Sequence, residues 1–105
     1  MKPVKPVKRV EIVVESHEVN NVIEALDVIG VTGYSIFRQV GGRGERGERR
    51  PGEFAYDVEN DYLIVACTEV QAEALVAAIR PMLVKFGGMC LVSDATWVCH
   101  TGLEQ

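Results

Sequence analysis

At 105 residues, with a formal net charge of −4 and 48% apolar residues, the chain is long enough for one hydrophobic core and too short for two. The acidic balance argues against broad nucleic-acid binding, which depends on neutralising phosphates with a basic surface. The longest apolar runs fall short of the roughly 18 residues that span a bilayer, and no apolar segment follows the basic start as a secretion signal requires, so a cytoplasmic location is expected.

The opening "MKPVKP" carries two prolines and two lysines and is expected to be a frayed arm. "KRVEIVVE" then alternates Val10, Ile12 and Val14 with Glu11 and Glu15, the period of a half-buried strand. Ser16 is a candidate cap for a helix in which Val19, Val22, Ile23, Leu26 and Ile29 recur at helical spacing and Gly30 marks the stop. "GYSIFRQV" reads as a second strand. A third runs through "FAYDVENDYLIVAC", with a bulge or break expected near Asn60 and Asp61.

Thr68 and Gln71 form a capping box, followed by an apolar face of Val70, Ala74, Leu75, Ala78, Ile79, Met82 and Leu83. Pro81 inside that helix predicts a kink or an end near Arg80. "FGG" turns the chain into "MCLVSDATWV", the fourth strand. The order β-α-β-β-α-β, with its two halves echoing each other, predicts an α+β, ferredoxin-like domain: an antiparallel four-stranded sheet with both helices on one face. Val13, Tyr62, Ile64 and Trp97 are expected on the opposite face, whose cover by copies of the same chain predicts a homo-oligomer.

Cys67, Cys90 and Cys99 contain no C-x-x-C pair and are an odd number, so reduced thiols among apolar neighbours are expected and no metal site is assigned. His17 and His100 have no nucleophile or carboxylate partner at a motif spacing, so no acid–base machinery and no enzyme is expected.

The connection between strands two and three is the informative segment. Residues 40–53, "VGGRGERGERRPGE", hold five glycines and four of the eleven basic residues, where a hairpin connection ordinarily takes about two to five residues. Bare glycine amides with the forked donors of Arg43, Arg46, Arg49 and Arg50 suit an anion such as phosphate or carboxylate. There is no G-K-[ST], so this is not a P-loop. A self-neutralising loop without ligand, and an RNA-binding segment interrupted by Glu45, Glu48 and Glu53, are the competing readings. A small nucleotide hydrolase, with Glu45 or Asp57 as metal-binding carboxylate, is a third.

The element order, "GVTGYSIFRQVGGRGERG" ahead of a long loop, and "FGGMCLVSDATWV" after the second helix resemble the PII signal-transduction superfamily. The likeness is nearest to the PII-like proteins of bicarbonate uptake and carboxysome operons, and covers about residues 9–98. It implies a single PII-like domain over 1–105, assembled as a homotrimer, with a T-loop at about 40–55 and a B-loop at about 85–89. It also implies an adenine nucleotide (AMP, ADP or ATP) in a cleft shared by the T-loop and a neighbour's B-loop. On the matching positions, Thr32, Gly41, Gly42, Arg43, Arg46, Phe86, Gly87, Gly88 and Met89 are the expected nucleotide-binding residues. Arg49 and Arg50 face a partner.

That partner is expected to be a membrane transporter for bicarbonate or a related anion, with bicarbonate itself a candidate second ligand. The dependence on magnesium stays open. Residues 40–53 lack the modifiable tyrosine of nitrogen-type regulators, and Met89 stands where those carry a lysine, which argues against uridylylation and 2-oxoglutarate sensing. A nitrogen-type regulator is the alternative within the family.

Overall fold

The computed structural model describes residues 3–44, 47–49 and 59–100. Strand β1 (Val4–Glu15) leads through a 3-10 turn (Ser16–Glu18) into α1 (Val19–Ile29); β2 (Tyr34–Val40), β3 (Gly42–Gly44), β4 (Gly47–Arg49) and β5 (Asn60–Cys67) follow, then α2 (Glu69–Phe86) and β6 (Met89–Val98). Four strands form one sheet in the order β2-β5-β1-β6, and β3 and β4 make a separate two-stranded ribbon. All pairings in the main sheet are antiparallel, as the β-α-β-β-α-β order predicts for two interleaved units.

The core lies between the helices and one sheet face. Val10, Ile12 and Val14 of β1 and Leu63 and Val65 of β5 are buried against Val19, Val22 and Leu26 of α1 and Leu75 and Ile79 of α2. Val13, Tyr62, Ile64 and Trp97 occupy the alternate positions, opposite the helices, as the period of two predicts. Phe37, Met89 and Leu91 share that face and are 54%, 40% and 50% exposed, beside a polar group of Arg9, Glu11 and Ser93, so a single chain leaves large apolar side chains bare there. Cys67 is buried and Cys90 half-buried. Burial pushes both thiols up and holds the proton on sulfur.

Several expectations are corrected. The opening segment is not a frayed arm from residue 4 onward: β1 begins at Val4, because Val4 to Lys8 pair with Val98 to Asp94 along the edge strand β6. Helix α2 does not end near Arg80 but runs through Pro81 to Phe86. Its buried stripe is Ala72, Leu75 and Ile79, whereas Val70, Ala74 and Ala78 are exposed. Thr68 caps it as predicted, accepting from the Gln71 amide (3.1 Å) while Gln71 Oε1 accepts from the Thr68 amide (3.0 Å). Ser16 makes no cap hydrogen bond and α1 starts only after the 3-10 turn. Its C-terminus follows the glycine rule: Gly30 is left-handed (φ 93°) and its amide donates to Leu26 and Asp27 carbonyls.

The expected irregularity near Asn60 and Asp61 lies on the facing strand. β2 pairs with β5 from Tyr34↔Val65 to Phe37↔Tyr62 and resumes at Val40↔Asn60, with one extra residue in β2. Past it, the Gly/Arg segment is partly regular. Gly42, Arg43 and Gly44 pair with Arg49, Glu48 and Gly47, which puts Arg43 and Glu48 at facing register positions. Glu45, Arg46, Arg50 and Asp57 lie outside the described residues.

Candidate loop stem and glycine turn

The stem of the Gly/Arg segment leaves the sheet at the β2 bulge. Gln39, within the bulge, has φ 56°, the only non-glycine residue with positive φ among the described residues. Opposite it stands Asp61, 1% exposed, in phase with the core residues Leu63 and Val65. A buried carboxylate is tolerable only when donors replace its water, and three do. Ser16 Oγ (2.8 Å) and the Gln39 amide (3.0 Å) donate to Oδ1, and Arg38 Nη1 (3.0 Å) donates to Oδ2. Glu59 adds a second tie, accepting from the Ser16 amide (2.7 Å) and from Gln39 Nε2 (3.1 Å). Gly41 and Gly42 follow this knot and are exposed, and a Cβ built on Gly42 meets nothing within 4 Å.

The second group of expected residues is the turn from α2 into β6. Gly87 (φ 79°) ends the helix, its amide donating to the Leu83 carbonyl (2.9 Å), and Gly88 continues at φ 117°. These two conformations lay Met89 beside Val13, and a Cβ on Gly88 would sit 2.2 Å from the Val13 carbonyl oxygen. Phe86 is held edge-on by the His17 ring at a centroid distance of 5.3 Å, with Lys85 Nζ 5.1 Å from its centre. His17 in turn has its Nε2 3.3 Å from Glu15 and 3.7 Å from Glu18 carboxylate oxygens. One short turn thus touches both groups, Ser16 reaching the stem through Asp61 and His17 the Phe86 ring.

Sheet order decides what a single chain brings together. The pairings Val40↔Asn60, Asn60↔Glu15 and Met89↔Val13 put the stem and the glycine turn at the same end of the sheet. They stand on opposite edges, because β5 and β1 lie between β2 and β6, which separates them by about 14 Å at three interstrand spacings. Thr32 is exposed ahead of β2, beyond the far end of that edge strand from Gly41, and the strand between them spans about 20 Å. Among the described residues, Gly41, Gly42 and the Arg43 backbone follow one end of β2, Thr32 precedes its other end, and Phe86 to Met89 stand at the opposite edge of the sheet. A groove of about 580 Å³ against α2, lined by Lys8, Glu73, Val76, Arg80 and Val92 among others, takes in none of them.

Sequence reasoning missed Asp61, Ser16 and Gln39 as a unit. The available signal was an aspartate in phase with Leu63, Val65 and Cys67, a carboxylate at a position the alternation reserves for the core.

The chain matches a known family. Its model, nitrogen regulatory protein P-II, matches residues 7–101, and the chain belongs to that family. No curated protein matches the sequence. Among solved structures, the chain is similar to CPII, a nitrogen regulatory PII-like protein from Thiomonas intermedia. The CPII structure bound to ADP and bicarbonate is 26% identical, with a TM-score of 0.81 over 91% of this chain and 92% of that one. The structure bound to ADP, AMP and bicarbonate gives 26% identity and a TM-score of 0.83 over the same shares. A PII-like signalling protein from Thermus thermophilus, 23% identical with a TM-score of 0.74 over 92% and 94% of the two chains, shares the fold. The chain is accordingly a PII-like regulatory protein.

Proposed function

We propose that this protein senses adenine nucleotides, with bicarbonate as a second signal, and reports them through its Gly/Arg loop to a regulated partner. The observation that carries the reading is the likeness to CPII, which extends over nine-tenths of both chains and includes complexes with ADP, AMP and bicarbonate. In this reading Gly41, Gly42, Arg43 and Arg46 receive phosphates, Thr32 contacts the nucleotide along the β2 edge, and Phe86, Gly87, Gly88 and Met89 cradle base and ribose. Glycine amides and arginines are the donors that phosphate oxygens call for.

A homotrimer is part of the proposal. The stem and the glycine turn sit on opposite edges of one sheet, so a ligand touching both needs the edge of a second copy, and the exposed side chains of Phe37, Met89 and Leu91 call for the same cover. No helix among the described residues is long and apolar enough to cross a membrane. A transporter for bicarbonate or a related anion is proposed as the partner, met from the cytoplasm by the loop around Arg49 and Arg50. Ligand binding would set the loop conformation and so the surface presented.

Calorimetric titration with ADP, with and without bicarbonate and magnesium, tests this on protein shown by sedimentation to be trimeric. About one ADP per chain, with an affinity that bicarbonate changes, is the expected result. A folded trimer giving no heat with AMP, ADP or ATP would sink the nucleotide reading and leave a loop that docks on protein or RNA.

A further inference from the structure

The bulge from which the Gly41–Gly42 stem departs is built around a carboxylate to which the nucleotide reading gives no role. Asp61 is 1% exposed and stands in the core phase of β5, where an apolar side chain would ordinarily pack. Its two oxygens gather donors from separate parts of the chain. Ser16 comes from the turn after β1, and the Gln39 amide and Arg38 guanidinium come from the bulge itself. Gln39 holds φ 56°, a conformation that strains a non-glycine residue and persists only where neighbours enforce it. The enforcing contact is visible: the amide of that residue points into the buried carboxylate.

We propose that Asp61 is a positioning residue for the ligand site. It clamps the β2 bulge so that Gly41, Gly42 and Arg43 leave the sheet in one direction, with their donors already arranged for an anion. The proposal rests on the nucleotide reading of the same stem. Preorganisation of this kind raises affinity by removing the ordering cost at binding, so loosening the clamp weakens binding without touching the ligand. Arg38 forms the outer arm, its side chain 64% exposed and its guanidinium engaged by Asp61, and Ser16 the inner one.

The test compares wild type, Asp61→Asn, Arg38→Gln and the core variant Ile12→Val, by ADP calorimetry and by amide hydrogen exchange. An amide group in place of the carboxylate has one acceptor oxygen, so it cannot serve both sets of donors. Asp61→Asn is expected to weaken ADP binding about tenfold and to speed exchange of the Gln39 amide by a similar factor. The β1 amides from Val10 to Val14 stay protected. Arg38→Gln is expected to cost about threefold, whereas Ile12→Val lowers the melting temperature and leaves ADP affinity within about twofold.

A folded Asp61→Asn protein that binds ADP as tightly as wild type overturns the proposal. If wild type takes up no ADP, the nucleotide reading fails by itself and Gln39 exchange decides alone: faster exchange in Asp61→Asn upholds the clamp, and equal exchange removes it. Should Asp61→Asn fail to fold, Arg38→Gln and Ser16→Ala, each removing one arm, decide by the same two readouts.

Discussion

The two glycine pairs of the candidate site look alike in the sequence and differ in the structure. Gly87 and Gly88 both have positive φ, and Gly88 lies so close to the Val13 carbonyl that no side chain fits. Gly42 has no such φ and has open space where a Cβ would go. The α2–β6 pair is required by the fold, because the chain must turn from helix to strand against β1. Nothing in the described structure requires a glycine at 42, and the nucleotide reading proposes a phosphate approaching the bare amide there.

That contrast can be broken by experiment. The largest effect is expected from Gly88→Ala, which combines a left-handed backbone with a backbone clash and should destabilise the protein by about 3 kcal/mol or more. Thermal unfolding checks it, and a melting temperature within a few degrees of wild type would show that the turn can open. Next comes Arg43→Ala, expected to weaken ADP binding by about 2 kcal/mol, the range for a hydrogen bond to a charged group, at unchanged melting temperature. The paired control is Arg49→Ala, which should spare ADP affinity, and a comparable loss there would extend the ligand site along β4.

Only a small effect on stability is expected at Gly42→Ala, within about 0.5 kcal/mol because the site is open. Its ADP affinity should nevertheless fall by several fold if phosphate approaches the bare amide. Wild-type affinity in Gly42→Ala would erase the distinction between the pairs, leaving the stem glycines as a matter of composition.

Periodicity located the elements well because it reports which residues face the core, and that is the force that forms them. Val10, Ile12 and Val14, and the helix stripe of Val19, Val22 and Leu26, are buried as their spacing predicts. It placed ends less well. Pairing to β6 carries β1 back to Val4, so that it takes in Pro6, and packing carries α2 through Pro81, since neighbouring elements stabilise what local propensity disfavours. The hairpin of β3 and β4 was hidden for a related reason: glycine has little strand propensity, and the backbone pairing that makes those strands has no hydrophobic signature.

The sequence by itself determined the fold class, the family and the two glycine-bearing segments, because hydrophobic spacing and short glycine motifs are local properties of the chain. Only the tertiary structure decided that these segments stand on opposite edges of the sheet, and that Asp61 draws together Ser16, Arg38 and Gln39 from positions 22 to 45 residues away. Strand order and the satisfaction of a buried charge depend on which distant residues meet. No periodicity along the chain encodes that meeting.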